Sequence, residues 1–114
     1  MKIIQTILVL IGITFASTSI AQKEVVEDTL LVKGICGMCK DRIEEAAYGK
    51  GVKYVSWDKA TDQLSMAYRA DKTSLEEIEK RILAAGHSTE NHVAERDNYA
   101  KLPDCCKYET QHKH

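Results

Sequence analysis

Apolar and polar positions along the chain fall into short periodic blocks behind one long apolar run at the N-terminus. Thr29-Leu30-Leu31-Val32 is apolar and β-branched and predicts a first strand. From Cys39 to Tyr48 the period changes. Ile43, Ala46 and Ala47 recur at i, i+3 and i+4, the pattern of a helix with one buried face. Gly49 stands where a C-terminal cap is expected. Val52 to Trp57 alternates, with Val55 and Trp57 on one face and Tyr54 and Ser56 on the other. The polar turn Asp58–Asp62 separates it from Gln63 to Tyr68, where Leu64, Met66 and Tyr68 alternate, so the two runs predict an antiparallel hairpin. Thr73 or Ser74, with Glu76 or Glu77 as capping-box partner, opens a second helix whose stripe is Leu75, Ile78, Ile82 and Ala85. Gly86 ends it. Ser88 to Val93 predicts a last, weaker strand, and Asn98 to Lys101 a short helical turn before Pro103.

The order is strand, helix, strand, strand, helix, strand. It predicts an α+β fold of the split βαβ, ferredoxin-like kind: a βαββαβ sandwich with a four-stranded antiparallel sheet and two helices on one face. No internal repeat or low-complexity linker interrupts it.

The N-terminal run changes the picture of where this domain works. Lys2 precedes an apolar stretch from Ile3 to Phe15, and Ser19-Ile20-Ala21 fits a small-x-small cleavage site before Gln22. The apolar core is about 13 residues, short of the about 20 that span a bilayer. Residues 1–21 therefore read as a signal peptide and residues 22–28 as a flexible leader. Residues 29–93 form the domain, and residues 94–114 a C-terminal extension. The expected location is periplasmic or secreted, with no membrane span once the signal is cleaved. The 16 basic and 17 acidic side chains nearly balance and no basic patch stands out, so no nucleic-acid partner is expected.

The candidate chemistry lies in the four cysteines. Cys36 and Cys39 frame Gly37-Met38 in the loop between the first strand and first helix. That spacing lets both sulfurs point at one spot, near a helix N-terminus that stabilises a thiolate. Such a pair binds a soft ion or closes into a disulfide. Cys105 and Cys106 are adjacent, in the extension. Three readings stay open for them: a second metal site with His112 or His114, a cluster shared with Cys36 and Cys39, or a structural pair. No paired carboxylates, Ser-His-Asp arrangement or Gly-rich phosphate loop is visible, which argues against an enzyme of the hydrolytic or phosphoryl-transfer kind.

Cys36-Gly37-Met38-Cys39 between a first strand and first helix, Gly51-Val52 at the second strand, and Gly86 after the second helix together resemble the heavy-metal-associated domain. That family includes copper chaperones, metal-binding modules of copper-transporting ATPases, and periplasmic mercury-binding proteins. The resemblance covers about residues 29–93. It implies that Cys36 and Cys39 are metal ligands, holding Cu(I) or Hg(II) between two thiolates. The chain departs from the family pattern Gly-Met-x-Cys-x-x-Cys: Gly34-Ile35-Cys36 is one residue shorter and lacks the Met beneath the loop, leaving Ile35 to fill the gap. No carboxylate flanks Cys36 closely, which favours Cu(I), then Hg(II), over Zn(II). His87, after Gly86, lies where the family's second loop approaches the metal, as a possible third ligand or a shield.

The expected function is an exported soft-metal-binding protein. It would capture Cu(I) through Cys36 and Cys39 and pass it by thiolate exchange to a membrane metal transporter or another metal-carrying protein. Two alternatives share the dithiol: a thiol–disulfide oxidoreductase and a passive metal-sequestering module. The first lacks the cis-proline of thioredoxin-like enzymes, since the only proline is Pro103.

Overall fold

The computed structural model describes residues 24–114; the expected signal peptide lies outside the described residues. Strand β1 (Val25–Leu31) is followed by helix α1 (Gly37–Ala47), strands β2 (Val52–Trp57) and β3 (Gln63–Arg69), helix α2 (Leu75–Ala84) and a short helix α3 (Arg96–Ala100). A 3-10 turn at Asp104–Cys106 follows α3. The sheet has three antiparallel strands in the order β1-β3-β2.

β1 starts ahead of the expected Thr29. Val25 to Asp28 pair with β3, from Val25 opposite Arg69 to Asp28 opposite Met66. Leu30, Val52, Trp57, Leu64, Met66 and Tyr68 line the buried face, in one core with Ile43 and Ala47 of α1 and Ile78 and Ile82 of α2. An irregularity in register between Val52 and Tyr54 puts Val52 on the same face as Val55 and Trp57, despite its opposite parity in sequence.

The expected fourth strand over 88–93 is not formed. One antiparallel bridge, Val32 to Thr89, marks its place at the free edge of β1. The side chains beyond it are taken up by local bonds. The Thr89 hydroxyl accepts from the backbone N–H groups of Asn91 (3.2 Å) and His92 (3.1 Å), which folds the segment into a turn. The buried Glu79 of α2 then holds that turn, accepting from Asn91 Nδ2 at 3.1 Å and bonding His92 Nδ1. The Ser88 hydroxyl accepts from the Ala94 N–H at 2.9 Å. A ladder needs these backbone groups extended and free, and here they are turned and occupied.

Two further contacts fix α1. Its last turn closes on Tyr48 in an extended conformation instead of on a left-handed Gly49. Arg81 of α2 reaches across to donate to the carbonyls of Ala46 (3.1 Å) and Ala47 (2.8 Å). A cation at the negative end of the helix dipole does there what a glycine cap does elsewhere. Earlier in the helix, Lys40 donates to the Trp57 carbonyl (2.9 Å), and one turn on Glu44 accepts from the Trp57 N–H (3.0 Å). α1 is thus tied to the end of β2 directly beneath the cysteine loop.

The extension packs on this frame at Gly86. Its φ is +99°, and a Cβ there would stand 2.6 Å from the Asn98 carbonyl oxygen and 3.0 Å from Leu102 Cγ. Gly86→Ala is therefore expected to destabilise the protein by about 1–3 kcal/mol through strain and displacement of α3. Urea denaturation followed by fluorescence of Trp57, the single tryptophan, measures this. An unchanged midpoint would show that α3 does not need that close approach.

Candidate metal centre

The loop between β1 and α1 is shaped by what lies under it. Gly34 sits against the Trp57 ring, so closely that a Cβ would meet ring carbons at 2.8 and 2.9 Å and Cys39 Cβ at 3.1 Å. Trp57 Nε1 donates to the Val32 carbonyl at 3.0 Å, locking the indole in place. Ile35, one residue before Cys36, is buried with Trp57 in the common core.

Cys36 is the N-cap of α1 and Cys39 lies in its first turn. The first α-type bond runs from the Lys40 N–H to the Cys36 carbonyl at 3.1 Å. Both sulfurs thus sit at the end where unpaired N–H groups and the dipole favour a thiolate. Their separation is 3.4 Å, and all four cysteines are free thiols.

A third sulfur joins them. The 3-10 turn after Pro103 brings Cys106 Sγ to 3.8 Å from Cys36 Sγ. The sulfurs of Cys36, Cys39 and Cys106 lie within 4.8 Å of one another, the one group of three or more such donors among the described residues. Cys39 and Cys106 are fully buried and Cys36 is 6% exposed. Cys36 also donates to the Cys105 carbonyl at 3.3 Å.

The environment separates the three thiols. Burial pushes all of them up. At Cys36 that is outweighed by hydrogen bonds from the Cys39 backbone and thiol, the Cys106 thiol and the Met38 backbone, so its pKa falls below the usual thiol range. At Cys39 burial prevails over the bonds from Cys106 and the Ile35 backbone, and the pKa rises. Burial and the two neighbouring sulfurs drive Cys106 far up. Cys36 therefore ionises first, with the other two thiols beside it as donors.

The adjacent cysteines part company. Cys106 enters the cluster, whereas Cys105, half-buried, turns its thiol to Met38 Sδ at 3.4 Å. His112 and His114 contribute no donor to the three-sulfur group; His114 Nδ1 bonds the His112 carbonyl at 2.9 Å. His87 is fully buried and also stands outside the group. Its Nδ1 donates to the Lys33 carbonyl at 2.8 Å, and its ring stacks on Tyr108 with centroids 5.8 Å apart. Burial, with the nearby Arg42 charge, holds its pKa low and the ring neutral, although the Lys33 bond works the other way.

The residues that fasten the extension over the loop carry no motif. Tyr108 donates to the Gly86 carbonyl at 2.8 Å and accepts from the Ser88 N–H at 3.0 Å. Lys113 donates to the Gly34 carbonyl at 3.0 Å, pairs with Asp62 and lies over the Trp57 ring. The His114 N–H donates to the Ile35 carbonyl at 3.0 Å, one residue before Cys36. In sequence these are a tyrosine and a lysine in a polar tail, and nothing in their spacing marks them.

No protein-family model matches the chain, and no curated protein matches it in sequence. Solved structures do match in fold. A candidate copper-ion-binding protein from Bacillus anthracis superposes with a TM-score of 0.57 at 24% identity, over 60% of this chain and 99% of that one. The CopZ metallochaperone gives 0.54 at 26% identity, over 56% and 98%. A copper-bound variant of CopA from Bacillus subtilis gives 0.50 at 26%, over 65% and 96%. Nearly their whole length is matched by 56–65% of this chain. The shared fold and the sulfur cluster at the start of α1 fit a heavy-metal-associated-like domain that carries a further cysteine-bearing C-terminal segment.

Proposed function

We propose that the protein is an exported carrier of a soft metal ion, Cu(I) before Hg(II) and Zn(II), held by the thiolates of Cys36, Cys39 and Cys106. The observation that carries this reading is the convergence of three buried sulfurs at one helix N-terminus. Thiolates select soft d10 ions, and three of them suit a trigonal Cu(I) centre. The similarity to the CopZ metallochaperone and to copper-bound CopA supports copper as cargo. His87 serves as a neutral packing residue under Tyr108 and not as a ligand. Delivery proceeds by ligand exchange: an incoming thiolate from a membrane transporter or another metal-carrying protein replaces one cysteine at a time. Residues 1–21 supply the export signal, which places this exchange in the periplasm or outside the cell.

The direct test is anaerobic Cu(I) titration of the reduced protein against a bicinchoninate competitor. One tight equivalent is expected, abolished by Cys36→Ser/Cys39→Ser. Cys106→Ser keeps a two-coordinate site and weakens it by roughly 10–100-fold, the scale on which supporting groups act at metal centres. Equal affinity in Cys106→Ser would remove that residue from the site. No competitive binding by the intact protein would overturn the copper reading, and multiple turnovers in a disulfide-exchange assay would replace it with an oxidoreductase.

The same titration repeated across pH has a defined sign. Cys39 and Cys106 lie above the ordinary thiol pKa, so both carry protons at neutral pH and lose them on binding. Apparent affinity should rise with pH by about tenfold per unit for each proton released. A flat profile between mildly acid and mildly alkaline pH would mean that the ion displaces a proton from neither thiol.

A further inference from the structure

An ion inside the three-sulfur cluster is poorly placed for exchange. Two of its ligands are fully buried and the third is 6% exposed, so a partner's thiolate has almost no approach to the metal. Ligand exchange at a d10 ion needs an incoming donor to bind before an outgoing one leaves. The donors nearest solvent are the other two sulfurs of this region. Met38 is half-exposed and Cys105 is partly exposed, and their sulfurs are 3.4 Å apart. Each is the immediate chain neighbour of a buried ligand, Met38 of Cys39 and Cys105 of Cys106. Cys105 is also joined to the least buried ligand, since its carbonyl accepts from the Cys36 thiol at 3.3 Å. A thioether and a thiol therefore lie nearer solvent, each one residue along the chain from a buried thiol of the cluster.

We propose that Met38 and Cys105 form a second, solvent-facing site for the same soft monovalent ion, through which the buried site is loaded and emptied. This rests on the buried cluster being a Cu(I) site. The outer pair offers one thiolate and one neutral thioether, a weaker donor set than three thiolates. It accepts an ion without retaining it. When the ion arrives, Cys105 releases its proton to solvent and the sulfur takes the metal. When the ion moves inward, the buried thiols that take it give up their protons, Cys105 takes one back, any remainder goes to solvent, and no electron changes hands. Met38 is suited to the outer position because its charge does not change with pH and its flexible stem lets the sulfur follow the ion.

The test compares the full protein with Met38→Leu, Cys105→Ser and the double variant under anaerobic, reducing conditions. Two readouts are taken: the rate of Cu(I) transfer to and from bicinchoninate by stopped flow, and the stoichiometry at excess Cu(I). The double variant should keep the first equivalent at nearly unchanged affinity, lose a weaker second equivalent, and exchange copper at least about tenfold more slowly. Cys105→Met, which restores a soft donor, should recover much of the rate. Unchanged rates and stoichiometry in the double variant would overturn the proposal while leaving the buried site intact. So would a slowed double variant that Cys105→Met fails to rescue. A first equivalent that survives Cys36→Ser/Cys39→Ser would overturn the buried site itself, and the loading role with it.

Discussion

Three thiols can share a dry space at the end of a helix only if something covers them, and the C-terminal segment is that cover. A short cysteine loop on a small sheet has little of its own chain with which to exclude water. Here the 3-10 turn at Asp104–Cys106 closes over the loop while contributing one of the thiols it encloses. The fastening is polar at its margin and apolar at its centre. Tyr99, Leu102 and Cys106 are buried in the common core. Tyr108, Lys113 and the His114 N–H bond backbone carbonyls of the two loops that flank the cysteines. The thiols differ in acidity because of this enclosure: desolvation raises each one, and only Cys36 gathers enough hydrogen bonds to reverse it.

The platform beneath is correspondingly rigid. Trp57 is gripped at its indole by Val32 and at its backbone by Glu44 and Lys40, and Gly34 rests on its ring. Arg81 closes the far end of α1. Helix, loop and strand end therefore move as one body. The most exposed sulfur beside this platform is the thioether of Met38, half-exposed where Cys36, Cys39 and Cys106 are buried.

Much of the fold was legible because its signals are local. β3 alternates cleanly after its polar turn, β2 keeps Val55 and Trp57 on the expected face, and Ser74 caps α2 as its spacing with Glu77 predicts, accepting from the Glu77 N–H at 3.2 Å. Two strand expectations failed, the first for a non-local reason and the second for both local and non-local ones. Val25 to Asp28 mixes apolar and acidic residues and reads as a leader, yet pairing with β3 makes it strand. Ser88 to Val93 reads as a strand, but hydroxyl groups and Glu79 divert its backbone into a turn. At the site, the Cys-x-x-Cys loop was visible from spacing alone. The division of labour between Cys105 and Cys106 was not, because adjacent identical residues differ only in which way a 3-10 turn points them. Arg81 as the cap of another helix was equally hidden, since the two lie far apart in sequence.

Because Cys106 is carried by the segment that covers the site, occupancy and shape are thermodynamically linked. An ion that prefers three sulfurs to two stabilises the docked tail by its preference, and the docked tail strengthens the hold on the ion by the same amount. Full and empty forms then differ in how firmly the last residues lie against the loop. For the carrier proposed above, that difference would be legible from outside, without contact with the metal.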